Sequence, residues 1–350
     1  MSKPTFAMLC CACGAEQVVK SEMAEKGWRL AFSRPGFVTA KNDSDVSLPE
    51  GIFVRTASRS IGQVRGTDAT RMVEELAVQL AEHDPNRRSF DQLHVWPKDR
   101  VPIGRFGFEP GVDEVSKVVA DEVYAGLRET WVKCDAPNRI AQPGERVLDL
   151  VLVEPSHWFL GTHEADVWPT RWPGAVQPVQ PVEEPVSRAY YKAAESITWS
   201  GFDMKPGDVA VEIGSAPGGA CGRLLELGMR VIGIDPAEMD PRINEHPNFQ
   251  HIRARGGDLP RRQFRNAKWL LVDSNVRPDQ TLTTIENIVT HRQSDFVGLL
   301  ITLKIGEYRA APLIEKWFQR IVGWKPQQVH VRQLARNKCE VCFAVTMKSA

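Results

Sequence analysis

The chain has 350 residues, 42% of them hydrophobic and 25% charged, and a formal net charge of zero. That length allows about two domains with sizeable cores, and the composition excludes a disordered chain. No apolar run reaches the ~18 residues needed to cross a bilayer, no signal-peptide pattern is expected, and the overall balance does not advertise nucleic-acid binding.

The distribution of charge says more than the total. Residues 1–170 carry 20 basic and 25 acidic side chains, whereas residues 171–350 carry 24 and 19. The basic excess therefore lies in the second half. Seven cysteines, an odd number, favour a reducing, cytoplasmic setting. Cys10, Cys11 and Cys13 crowd one segment, and Cys339 and Cys342 form a Cys-x-x-Cys. Neither group has the further clustered ligands of a zinc site, so no metal is expected and buried structural thiols are the default.

In chain order, residues 6–11 read as a strand, Ala15–Lys26 as a helix closed by Gly27, and 28–32, 37–41 and 52–58 as strands. A helix over 69–82, a strand over 92–96, a helix over 112–131 and a strand over 146–153 follow. This half is expected to be α+β, with a ferredoxin-like region at 1–60 and a second domain at 61–165. Its histidines, His83, His94, His157 and His163, are scattered singly and suggest no catalytic constellation. Residues 166–186 hold Pro169, Pro173, Pro178, Pro181 and Pro185, a density that forbids helix interiors and central strands. They read as a linker, although Trp168, Arg171 and Trp172 would also suit base stacking.

The last part, 187–350, begins with Ser-Arg-Ala-Tyr-Tyr-Lys and a helix. Strands are expected at 209–213, 230–234, 249–252, 269–272, 296–304, 328–331 and 341–347, with helices near 281–290 and 312–322. The last two strands are joined too tightly for a crossover helix and should run antiparallel. The most informative stretch is Val-Ala-Val-Glu-Ile-Gly-Ser-Ala-Pro-Gly-Gly, residues 209–219. A strand ending in Glu212 feeds a turn of Gly214, Ser215, Ala216, Pro217, Gly218 and Gly219 and then a helix, the arrangement that cradles small ligands on backbone N–H groups. A second strand ends at Asp235, where an acid accepts hydrogen bonds from ribose hydroxyls. The turn matches Gly-x-Gly-x-x-Gly poorly, so a dinucleotide oxidoreductase is the weaker alternative.

Four charged residues fall at strand ends or a helix start: Lys192, Asp273, Lys304 and Glu340. Ligands of open α/β sheets sit at the carboxyl edge of the parallel strands, and an antiparallel last strand begins at that same edge. The four are therefore expected to converge. Together with the Ala-Pro-Gly-Gly turn and the strand order, they resemble the Lys-Asp-Lys-Glu tetrad of the FtsJ-like RNA 2′-O-ribose methyltransferases. The resemblance covers residues 187–350 and implies a Rossmann-like seven-stranded α/β domain, S-adenosylmethionine (SAM) as cofactor and RNA as substrate. Lys304 is then the candidate base, with Lys192 nearby favouring its neutral form and Asp273 holding it, while Lys192 and Glu340 orient the ribose. Glu212, residues 214–219, Asp235, Asp258 and Asp273 would hold the cofactor, Asp258 reaching the adenine. The front half is similar to the THUMP-containing members that act on a cytidine of 23S rRNA, so large-subunit ribosomal RNA is the expected partner. Arg253, Arg255, Arg261, Arg262, Arg265 and Lys268 suit phosphate contacts as well as a solvated face. A catalytically inactive RNA-binding relative is the other alternative, and such a protein is expected to have lost a tetrad member.

Overall fold

A computed structural model describes residues 4–84, 89–258, 261–291 and 295–348. The chain forms two compact units, 1–178 and 179–350, each built on one seven-stranded sheet.

The first unit runs β1 (Thr5–Cys10), α1 (Glu16–Glu25), β2 (Arg29–Arg34), β3 (Phe37–Asn42), β4 (Thr56–Arg65), α2 (Ala69–His83), β5 (Gln92–Pro97), α3 (Glu114–Leu127), β6 (Arg146–Glu154), β7 (His157–Glu164) and α4 (Trp168–Arg171). Its sheet order is β2-β3-β1-β4-β7-β6-β5. Residues 147–153 of β6 are buried throughout because both faces are covered. On one face Met72, Leu76 and Leu80 of α2 and Val119, Val123 and Leu127 of α3 close a core over Leu148 and Leu150. These residues recur at four-residue spacing, which keeps them on one side of each helix. Asp68 caps α2 by accepting the Arg71 N–H, and Asp113 with Ser116 forms a capping box on α3. Phe37, Trp96, Val151 and Phe159 fill the other face.

Several expectations change here. The strand expected at 52–58 starts at Thr56 and continues to Arg65. The expected boundary at 60/61 therefore falls inside β4, and strands from both sides of it share one sheet. No strand is expected from sequence at 157–164, yet β7 forms there and pairs with both β4 and β6. The helix expected to reach residue 131 stops at Leu127. The proline-rich stretch is not all linker. Pro169, Trp172 and Pro173 are buried, and a Cβ on Gly174 would lie 2.8 Å from the Trp96 ring. Trp168 stacks on Trp172 at 5.9 Å, with the Arg171 guanidinium 3.9 Å from the Trp168 ring centroid. Prolines here fix a packed strap, because their φ is preset and a strap pairs few N–H groups.

The second unit runs α5 (Ala189–Ser200), β8 (Val209–Ile213), α6 (Gly219–Glu226), β9 (Arg230–Ile234), α7 (Pro241–Asn244), β10 (Phe249–Ile252), β11 (Trp269–Asp273), α8 (Pro278–Val289), β12 (Gly298–Lys304), α9 (Leu313–Val322), β13 (Gln328–Arg332) and β14 (Glu340–Thr346). The order β10-β9-β8-β11-β12-β14-β13 reverses direction beside β8, and β14 is antiparallel to both neighbours, as expected. The carboxyl ends of β8, β9, β11 and β12 thus share an edge with the start of β14, and the crevice at such a reversal is where open α/β sheets bind ligands.

Candidate active site

Strand register brings the four charged residues together. Lys304, the last residue of β12, pairs directly with Glu340, the first of β14. Asp273, the last of β11, pairs with Thr302, so it shares a sheet face with Lys304 two residues on. Helix α5 sets Lys192 over this edge. Its Nζ lies 2.6 Å from Asp273 Oδ2 and 2.7 Å from Glu340 Oε1. The three side chains are only 11%, 26% and 6% exposed. Burial alone would lower the Lys192 pKa, but the two carboxylates outweigh it and hold the ammonium charged above the usual lysine range. Burial likewise opposes ionisation of Glu340, and the Lys192 charge, aided by Lys304, holds its pKa below the usual value.

Asp273, expected to hold Lys304, grips Lys192 instead; Lys304 Nζ donates to Asn275 Oδ1. Asn275 was not singled out in sequence, although it lies two residues past Asp273 at the same strand end. Glu195 was missed too. It sits one helical turn after Lys192, is 2% exposed, and accepts the Ala335 and Arg336 N–H groups at 2.7 and 3.0 Å. It thereby ties α5 to the loop that leads into Glu340.

The glycine turn lies against the same edge. Gly214 has φ +86°, and a Cβ there would meet the Asp273 carbonyl oxygen at 2.5 Å. Gly218 has φ +119° and faces Ile243 and Met239 at about the same closeness, while Gly219 faces Ser187 and the Tyr190 N–H. These glycines were expected to let a ligand approach the backbone. The structure uses them to pack the turn against β11, α7 and α5. Asp235 Oδ2 accepts the Ala216 N–H at 3.2 Å and Oδ1 the Ala237 N–H at 2.8 Å, so it fixes the turn as well as facing the edge. Ser215 is buried with its Oγ 3.6 Å from Met239 Sδ. Glu212 is 2% exposed and accepts from the Cys221 thiol at 2.8 Å. Burial pushes its pKa up to about 8. Asp258 is exposed on a short 3-10 turn, Gly256–Asp258, after β10.

This donor set fits the nucleoside-containing, cationic cofactor expected above. The N-terminus of α6 follows a turn too tight for side chains, with Asp235 bonded to that turn, Asp273 lining the groove beside it and the neutral Glu212 buried behind. Beside it a groove of about 390 Å³ is lined by Arg188, Lys192, Asp273, Lys304, Lys338 and Glu340. Behind Lys192 a cavity of about 30 Å³, lined in part by Ser196, Glu212 and Asn337, is of single-water size. The basic run after β10 is partly committed. Arg253 pairs with Glu238 at 3.6 Å and Lys268 with Asp208 at 2.7 Å, and the side chains of Arg261 and Arg262 lie outside the described residues. Among the described residues no cluster of metal-ligating side chains occurs, and no helix is long and apolar enough to cross a membrane.

Comparison with known proteins bears on the same region. The chain is similar to the ribosomal RNA large subunit methyltransferase M of Laribacter hongkongensis, 28% identical over 69% of this chain and 66% of the relative. It is similar to the protein of that name from Halorhodospira halophila, 25% identical over 77% of each chain. The first match spans just under two thirds of the relative's length. Among solved structures, the Methanococcus jannaschii fibrillarin pre-rRNA processing protein aligns over 61% of this chain and 84% of its own at 11% identity and a TM-score of 0.38, a level that carries no argument. Residues 185–304 match the family model described as FtsJ-like methyltransferase.

Proposed function

We propose that the domain methylates the ribose 2′-hydroxyl of RNA, with a cytidine of large-subunit ribosomal RNA as target, in the cytoplasm. The observation that carries this reading is the bridge from Lys192 to Asp273 and Glu340 beside Lys304, at the mouth of the groove. The names of the relatives support the RNA class. The seven cysteines, all free, suit a reducing compartment.

A ribose hydroxyl is a weak nucleophile and needs a base and fixed geometry. Bound SAM supplies an electrophilic methyl group. Lys304, the one tetrad member not locked into the carboxylate bridge, accepts the hydroxyl proton in its neutral form. Asn275 holds its Nζ in place. Lys192 is committed as a cation between two carboxylates and orients the ribose by donating hydrogen bonds. Asp273 and Glu340 position Lys192. Glu212, residues 214–219, Asp235, Asp258 and Asp273 hold the cofactor. Residues 1–165 capture RNA in the manner of a THUMP-containing front half, with residues 166–186 as the connection to the methyltransferase domain. The test is transfer of a tritiated methyl group to ribosomal RNA, followed by nuclease digestion. Label on the ribose is expected; label on a base ring overturns the 2′-hydroxyl assignment.

A further inference from the structure

The first unit has a cavity of its own, about 410 Å³, lined by Arg34, Arg65, Thr67, Glu154, Ser156 and His157. The sheet builds it at the end of β2, the end of β4 and the β6–β7 turn. Register places Arg65 opposite His157, and the Gly66 N–H donates to the Ser156 carbonyl at 3.0 Å, closing β4 onto the turn. The Arg34 guanidinium lies 4.7 Å from the Phe32 ring centroid, and Phe32 packs on Phe159 at 5.5 Å. Gln63 Oε1 sits 2.6 Å from His157 Nε2, and since an amide oxygen only accepts, Nε2 carries a proton. The walls are thus fixed by packing and hydrogen bonds before any ligand arrives.

Arg29, Arg55, Arg59 and Arg100 are each paired with an aspartate. Among the described residues, neither Arg34 nor Arg65 has a carboxylate partner within 4 Å; Arg34 donates to the neighbouring Ser33 carbonyl. Burial lowers the His157 pKa, and the charges of Arg65 and Arg34 push the same way, more strongly than Glu154 opposes them. In an acidic half of the chain, two guanidinium groups without an ion-pair partner therefore line one preformed cavity, against the single carboxylate of Glu154. Guanidinium forks match phosphate oxygens, and the hydroxyls of Thr67 and Ser156 supply neutral donors.

We propose that this cavity binds a phosphate of the substrate RNA backbone, held by Arg34 and Arg65. The inference rests on the RNA reading above and deepens it by giving the acidic front half a local anion site. The test uses the full chain. Titration with inorganic phosphate should move the His157 imidazole resonances, assigned by their loss in His157→Gln, and the Arg34→Ala/Arg65→Ala variant should show no such shift. No movement in the wild-type protein overturns the anion site. With ribosomal RNA as substrate, the double variant should raise KM about tenfold and reduce the salt slope of binding by about 0.7–0.9 for the one phosphate lost. SAM affinity, kcat and thermal melting should stay as in the wild type. A phosphate response with unchanged KM and salt slope means the cavity takes free anions, which overturns its assignment to RNA. Should the wild-type protein transfer no methyl group to RNA, the proposed function falls, and the phosphate titration still decides whether the anion site exists.

Discussion

Lys192 and Lys304 sit at one sheet edge, yet their surroundings assign them different work. Lys192 is locked between two carboxylates, whereas Lys304 contacts the neutral Asn275 amide and opens on the groove. Lys304→Ala should keep SAM affinity while losing about 10²–10⁴ in turnover, the range for removal of a general base. Near wild-type turnover would refute the assigned base. Asp273→Ala should be as damaging, because it frees Lys192, and isothermal titration of SAM checks that the turn survives. Glu212 gives a pH test. Its carboxyl is held neutral by burial, with a pKa raised from 4.5 to about 8. A raised acid takes up a proton on folding, so its contribution to stability is present below pH 4.5 and is lost as pH climbs through 8. Glu212→Gln, which cannot ionise, should flatten the fall in Tm between pH 4.5 and about 8. An unchanged slope would mean that Glu212 is already charged in the folded protein.

At the scale of elements, α5 and the loop before β14 must stay in register for Lys192 to reach Glu340. Glu195 makes that connection by accepting two backbone N–H groups of the loop. Glu195→Ala should lower kcat by about 10–100-fold through a small misplacement of the tetrad, with SAM affinity retained. Glu195→Gln keeps one acceptor oxygen and should recover part of the rate; equal loss in both variants would point to simple unfolding, which thermal melting would reveal. Glu195 also shows what was legible in sequence. The central strands of the second unit, β8, β9, β11 and β12, were readable because each is a short apolar run that ends at a charge or a glycine. The convergence of the tetrad was readable because strand ends share an edge. Which acid grips which lysine was not, since that depends on the tilt of α5 and on side-chain reach. In the first unit β7 was missed because His157, Thr162, His163 and Glu164 break the apolar pattern. His163 lies 2.5 Å from the buried Asp149, which also accepts from Ser58, so the polar residues of β7 are satisfied inside the fold. Histidines that look scattered in sequence, His94 and His163, have rings 6.5 Å apart.

For the whole molecule, the division at residue 178 separates two sheets, each with its own core. The glycine turn, the tetrad and the groove belong wholly to the second unit. A fragment of residues 179–350 should therefore fold and bind SAM with near full-length affinity, because the turn, the tetrad and the core beneath them are built from residues of the second unit. It should methylate ribosomal RNA poorly, through a raised KM, because substrate capture is assigned to the front half. The net acidity of residues 1–170 sharpens the expectation. Nonspecific attraction to RNA would be weak there, so capture must come from local features such as the Arg34–Arg65 cavity. Adding residues 1–178 in trans should not restore the KM, since two separate chains lose the effective concentration that the linker provides. Full activity of the isolated 179–350 fragment on its native RNA would remove the front half from substrate recognition, and the anion cavity would then need a different ligand.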